Sequence, residues 1–328
     1  MLWSLVHLVL LSLSVVPLAP HQSTAATYAQ RSLCPPAFGW TELSIPELLR
    51  EGGRLGGTNS VAAGWTDPSW LYAGGNNGVY RSSDCGSTWE PLPLPSPRAS
   101  AIMGQVATDP SGRLYVRIGF DVLAISEDGG QSWTRGSRET LSFSVSAAKD
   151  RLVYATLSNQ YIRGPTGLAR SEDGGLTWEI RARLLSGRVQ ADPLEADVVY
   201  RAFSRCGSPG DSPPCGALSR SLDGGATSNL LMIFPEVVTR MSMSPDGSRF
   251  WVATGGTLYR SVDRGETWDS LLGTPVDGPI IALSASPHDP GVVFVLTRQG
   301  KLWAYREAAG SHQDATTPYP PTRSEADD

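Results

Sequence analysis

A short motif recurs five times along the chain, and it constrains the fold more than any other feature. It first appears as Ser82-Ser83-Asp84-Cys85-Gly86-Ser87-Thr88-Trp89, then as Ser126-Glu127-Asp128-Gly129-Gly130-Gln131-Ser132-Trp133 and Ser171-Glu172-Asp173-Gly174-Gly175-Leu176-Thr177-Trp178. The fourth copy, Ser221-Leu222-Asp223-Gly224-Gly225-Ala226-Thr227-Ser228, lacks the tryptophan. The fifth is Ser261-Val262-Asp263-Arg264-Gly265-Glu266-Thr267-Trp268. The motif serines lie 44, 45, 50 and 40 residues apart. A near-regular period of this size marks a repeat architecture, in which each unit buries its apolar faces only against its neighbours.

Two further markers share the period. An aromatic residue sits in a β-rich run at Tyr72, Tyr115, Tyr154, Tyr200, Trp251 and Phe294, which makes six units. An apolar residue precedes each motif serine by three positions, at Val79, Leu123, Leu168, Leu218 and Leu258, and Leu302 continues the series. The motif has turn chemistry. Glycine accepts positive φ without steric cost, and Ser and Asp side chains bond the amides of their own turn. The tryptophan then opens the next strand as a buried anchor. Five copies of one catalytic aspartate would serve no single site, and the spacing matches no metal loop, so no metal or cofactor is expected.

Each unit reads as four short strands. In the first they fall near Ser60–Gly64, Trp70–Ala73, Gly78–Arg81 and Thr88–Leu92. Four strands per repeat of this length predict an all-β, six-bladed β-propeller of four-stranded antiparallel blades. Ala37 to Arg306 spans 270 residues, which suits that array. The last unit ends after its third strand, and Trp40-Thr41-Glu42-Leu43 matches Trp89-Glu90-Pro91-Leu92. The N-terminal strand is therefore expected to complete the last blade and close the ring, hiding edges that an open array exposes. The 35 Gly and 25 Pro of the 328 residues then punctuate turns.

Outside the array the chain divides simply. Leu2 to Ala19 is an apolar stretch of export-signal type, although no Lys or Arg precedes it, and small residues around Thr27-Tyr28-Ala29 suit cleavage. Residues 1–29 are thus a signal peptide or an N-terminal anchor, residues 30–306 the propeller, and residues 307–328 an acidic disordered tail. Location is expected to be secreted or extracytoplasmic, with membrane attachment only through an uncleaved anchor. The four cysteines suit disulfides there. Cys206 and Cys215 bracket a Pro- and Gly-rich insertion. Cys34, before the closing strand, and Cys85, in the first motif, are expected to bridge the last blade to the first. A net charge of −5 excludes a generally basic protein that coats nucleic acid, and no phosphate-binding glycine loop occurs.

The motif resembles the Asp-box, or BNR, repeat, Ser-x-Asp-x-Gly-x-Thr-Trp, and the resemblance covers about residues 37–306. That superfamily includes bacterial sialidases, sortilin-type receptors, xyloglucanases and photosystem II assembly factors. The Asp-Pro turns at Asp67-Pro68, Asp109-Pro110 and Asp192-Pro193 are also typical of it. The resemblance implies that Ser82, Asp84, Trp89, Ser126, Asp128, Trp133, Ser171, Asp173, Trp178, Ser221, Asp223, Ser261, Asp263 and Trp268 form structural turns at the blade periphery. Sialidase chemistry finds no matched residue. The Arg-Ile-Pro position holds Ser44-Ile45-Pro46, and Arg117-Ile118 runs into Gly119. Glu47, Glu51, Asp121, Glu139, Asp211 and Asp277 fall in candidate loops but nothing pairs them, so no catalytic residue is assigned.

Topology places the motifs at one end of the blades and the loops between second and third strands at the other. From the aromatic marker to the motif serine is 10 or 11 residues in three units, but 17 and 21 in the third and fourth. Binding residues favour such irregular loops. The ligand face is therefore assigned to Arg54, Asn76, Arg117, Asp121, Gln160, Tyr161, Arg163, Arg205 and Arg298. Arg98, Arg135, Arg138, Arg181, Arg183, Arg188 and Lys301 are counted on the same side. The tally is about +6 there and about −14 at the motif end, where Arg81, Arg170, Arg220 and Arg260 offset part of it. The reading is a monomeric, non-catalytic propeller that binds or scaffolds a glycan or protein partner, of anionic character, through its loop face. The alternatives are a sialidase-like glycoside hydrolase and an assembly factor for a membrane complex. Three convergent arginines, or two carboxylates about 5–9 Å apart in the central pocket, would point to the hydrolase.

Overall fold

A computed structural model describes residues 34–35, 37–45, 58–75, 78–93, 105–118, 122–158, 166–183, 186–204, 215–271 and 278–308. All belong to one compact unit, Ser32–Asp328. Among the described residues the regular structure is entirely β, and no helix is long and apolar enough to cross a membrane.

After β1 (Gly39–Leu43), the strands β2 (Thr58–Ala63), β3 (Leu71–Gly75), β4 (Gly78–Ser82) and β5 (Glu90–Pro91) form one antiparallel sheet in chain order. A seven-stranded sheet follows: β6 (Val106–Thr108), β7 (Leu114–Ile118), β8 (Val122–Ser126), β9 (Thr134–Val145), β10 (Val153–Leu157), β11 (Gly167–Ser171) and β12 (Glu179–Arg183). Two four-stranded sheets come next. One is β13 (Arg188–Ala191), β14 (Val199–Ser204), β15 (Gly216–Ser221) and β16 (Asn229–Phe234). The other is β17 (Val238–Met243), β18 (Phe250–Thr254), β19 (Thr257–Ser261) and β20 (Asp269–Ser270). The last contains β21 (Ile280–Ala285), β22 (Val292–Thr297), β23 (Leu302–Arg306) and β1. The N-terminal strand thus pairs along the C-terminal one, Trp40 opposite Tyr305 and Leu43 opposite Leu302.

The second and third units do not separate as the repeat predicts. The outer strand of one and the inner strand of the next are a single 12-residue strand, β9. Its register against β8 shifts between Val122 and Ala124, so the strand passes from one four-strand group to the next without a turn. Two outer strands, β5 and β20, are short, with two residues each, and largely exposed.

The period-marking aromatics are core residues. Tyr115, Tyr154, Tyr200 and Trp251 are fully buried, with Phe294 and Tyr72 close to it. Buried phenols require partners. Tyr115 donates to Asp109 Oδ2 at 3.0 Å, and Tyr154 donates to the Ala196 carbonyl at 2.7 Å. Neighbouring sheets are stitched along their inner strands by serines whose hydroxyls accept from amides that the ladder leaves free. Ser60 accepts from Val106, Ser142 from Val189, Ser144 from Ala191, Ser242 from Ala285, and Ser284 from Ala63.

All five motifs adopt one geometry. The serine hydroxyl donates to an aspartate oxygen at 2.7–2.8 Å and accepts from the glycine amide four residues on at 2.7–2.8 Å. The aspartate also accepts from the amide and hydroxyl of Thr88, Ser132, Thr177, Thr227 or Thr267. Both residues after the aspartate have positive φ, so glycine is favoured at each; Cys85 (61°) and Arg264 (60°) are the non-glycine cases. Cys85 is bonded to Cys34, with Cα atoms 5.6 Å apart. Cys215 is also disulfide-bonded; its expected partner Cys206 lies outside the described residues.

Candidate functional site

The strands β2, β6, β9, β13, β17 and β21 all contribute residues to the lining of one cavity. The cavity has a volume of about 290 Å³, and a second space of about 140 Å³ adjoins it along the same strands. Strand register sorts the residues facing the cavity. Ser60 opposes Gly74, Ser142 opposes Thr156, Arg188 opposes Ala202, and Arg240 opposes Ala253. Gln105, whose carbonyl accepts from the Arg117 amide, holds the same position on its strand. One layer of the cavity therefore carries Ser60, Gln105, Ser142, Arg188, Arg240 and Ala282, and Val61, Val106, Val189, Met241 and Leu283 come next along their strands.

Three arginines meet in this cavity: Arg117 from β7, Arg188 from β13 and Arg240 from β17. Arg117 reaches across to β9, donating to the Thr140 and Leu141 carbonyls. Arg240 donates to the Thr239 carbonyl at 2.6 Å. Burial and the charge of Arg117 lower the pKa of Arg188 to about 10. Burial, then Arg188 and Arg117, lower that of Arg240 to about 9. The three charges thus sense one another through a poorly solvated space. Among the described residues neither Arg188 nor Arg240 forms an ion pair, and no carboxylate, tyrosine or histidine lines the cavity. Guanidinium groups are fixed donors, so the layer is suited to an anion that accepts several hydrogen bonds at once.

Of the loop residues assigned from sequence, Arg117 joins this site. Arg298 is exposed, outside the cavity lining, and its amide donates to the Pro279 carbonyl. Arg54, Asn76, Asp121, Gln160, Tyr161, Arg163 and Arg205 lie outside the described residues. Arg181 belongs to the other end, donating to the Asp223 and Gly224 carbonyls of the fourth motif. Glu139 is not a loop carboxylate but a buried residue of β9. Sequence reasoning counted Arg188 only as one more loop cation and passed over Arg240. By strand register both occupy an inner-strand position that Ser60, Gln105, Ser142 and Ala282 fill in the other units, but the spacing to the aromatic marker hid this, being 12 residues from Arg188 to Tyr200 and 11 from Arg240 to Trp251.

No family model matches the chain. Solved structures of similar shape include YCF48 from Cyanidioschyzon merolae (TM-score 0.50, 17% identity, 82% of this chain and 99% of that one) and the GH74 enzyme of Niastella koreensis (TM-score 0.57, 21% identity, 79% and 42%). A structure of YCF48 bound to D1 peptide is similar as well (TM-score 0.50, 15% identity, 83% and 98%).

The fold is a β-propeller.

At these identities the likeness speaks for the fold alone. Among curated proteins, vacuolar protein sorting/targeting protein 10 of Mycosarcoma maydis is 31% identical over 90 residues, 27% of this chain. The chain matches only 6% of that relative's length.

Proposed function

We propose that this chain is an exported, non-catalytic propeller of six blades with five Asp boxes, closed by its N-terminal strand, that binds an anionic group of a glycan or protein partner at the mouth of its channel. The single observation that carries the reading is the meeting of Arg117, Arg188 and Arg240 in one cavity without a carboxylate among its described lining. Guanidiniums crowded in a poorly solvated site raise one another's electrostatic cost, and an anion removes that cost on binding. The Cys34–Cys85 disulfide supports an oxidising compartment, with residues 1–29 as signal or anchor. A solved propeller bound to a peptide supports a protein partner over a small metabolite.

A second reading has an observation of its own. Three convergent arginines also suit a sialidase-like hydrolase that grips a sugar carboxylate. Glycoside hydrolysis further needs a nucleophile and an acid/base pair, and the described cavity lining supplies no carboxylate or tyrosine for either role.

One experiment separates the readings. The full chain is titrated with a fluorescein-labelled hexaglutamate peptide and with 3′-sialyllactose, and assayed with a fluorogenic sialoside. Saturable binding of either acidic probe, weakened about 10- to 100-fold in Arg240→Gln as for a lost charged hydrogen bond, supports the binding protein. Sialoside turnover moves the assignment to the hydrolase, and indifference of both probes to Arg240→Gln removes the channel site.

A further inference from the structure

The arginine cavity does not end at its rim. It shares Leu141, Ser142 and Arg188 with an open cleft of about 580 Å³ that continues between β14 and the start of β17, past Arg201, Phe203, Val237 and Val238. The cleft differs in character from the channel. The Arg201 guanidinium lies over the Phe203 ring, 4.0 Å from its centroid, and donates to the Ser186 carbonyl at 3.0 Å. Burial lowers its pKa, and it has no ion pair among the described residues. Leu141, on the shared rim, is one of the few large apolar side chains left exposed, at 39%. Phe203 and Val237 are half-buried, so their remaining surface also faces the cleft. A cationic notch therefore opens directly onto an apolar wall.

The geometry points to an extended acidic peptide as the ligand, one in which a carboxylate side chain is followed by a large apolar side chain. The carboxylate enters the channel between Arg188 and Arg240. The apolar side chain packs in the cleft against Leu141, Phe203 and Val237, and Arg201 sits within reach of a further backbone carbonyl or acidic group. This inference rests on the anion-binding reading above and narrows it to one ligand chemistry. An acidic glycan fits less well. Its many hydroxyls need acceptors as well as donors, whereas arginines donate only, and the described cleft lining carries no carboxylate or carboxamide beside its apolar wall. An apolar side chain gains there what a sugar ring loses by desolvation.

The test uses labelled hexapeptides in fluorescence anisotropy with the full chain: Gly-Gly-Glu-Phe-Gly-Gly, and versions with Glu replaced by Gln or Phe replaced by Ser. Loss of either side chain is expected to weaken binding about tenfold or more. In Leu141→Ser and Phe203→Ser proteins the preference for Phe over Ser should vanish while the preference for Glu over Gln persists. Leu141 is exposed, so its replacement leaves the fold intact and keeps the test open if Phe203→Ser misfolds. Dependence on Glu without dependence on Phe overturns the peptide inference and leaves the anion site standing. Binding of 3′-sialyllactose or oligogalacturonate in place of every peptide overturns it in favour of a glycan. Binding of no acidic probe at all overturns both readings.

Discussion

The two ends of the propeller use arginine in opposite ways. At the motif end nearly every described arginine has a carboxylate. Arg81 pairs with Glu90, Arg170 with Glu172 and Asp197, Arg220 with Glu266, and Arg260 with Asp269 and Glu307. Arg264 reaches from the fifth motif to Asp192 and Glu195 in the neighbouring sheet, joining two sheets where Asp192 is fully buried. At the channel end Arg188, Arg201 and Arg240 have no such partner among the described residues, although burial is extensive enough to lower their basicity. The same side chain therefore stabilises the fold at one end and is held at some electrostatic cost at the other. Residues that cost stability in isolation are candidates for function, because a ligand removes the cost.

That contrast yields tests graded by size. The strongest concerns the motif end, where a disulfide supplements charge. Replacing both Cys34 and Cys85 by serine is expected to lower unfolding free energy by about 4 kcal/mol, the chain-entropy value for a separation of 51 residues. Denaturant titration of the oxidised and double-serine proteins measures it, and equal midpoints would show that the staple does not bear on stability.

Next in size is Arg113→Met. Arg113 is buried against Asp109 and also contacts Asp150. Its loss leaves a buried carboxylate uncompensated, at about 3 kcal/mol. Arg240→Met is the matching change at the channel end, and its sign is reversed. Relief of crowded like charge should raise stability by about 1 kcal/mol while the acidic probe is released. A destabilised Arg240→Met protein would collapse the distinction between the ends.

The smallest effect is in the acid limb. Hydrogen bonds from Ser132 hold the Asp128 carboxyl below the usual carboxylate range, and those from Thr227 do the same for Asp223. A lowered folded pKa contributes stability that is complete above the unfolded value, about 4, and is lost as pH falls through the folded one. Stability should therefore drop below about pH 4, less steeply in Asp128→Asn, as thermal melts from pH 7 to 2 would record.

Much of the molecule was legible in its residues. The motif spacing located the turns, and the aromatic markers located the second strands, because turn chemistry and burial are local properties that repeat whenever the unit repeats. The match between Trp40–Leu43 and Trp89–Leu92 anticipated the pairing of β1 with β23. Cys34 and Cys85 were paired by the same logic, once the N-terminal strand was placed in the last unit, next to the first motif. The fusion of two units through β9 was not legible, since a continuous strand and two strands with a tight link have the same alternation. The site was only partly readable. Loop irregularity drew attention to the loops, whereas the described arginines that converge sit on regular strands.

The amino-acid sequence alone determined the repeat, its turns and the residues that anchor each sheet, because these depend on contacts within one unit or with the next. Tertiary structure alone decided that Arg117, Arg188 and Arg240, separated by 71 and 52 residues, face one cavity. Their strands belong to three separate sheets whose packing brings charges that are distant along the chain into one poorly solvated space.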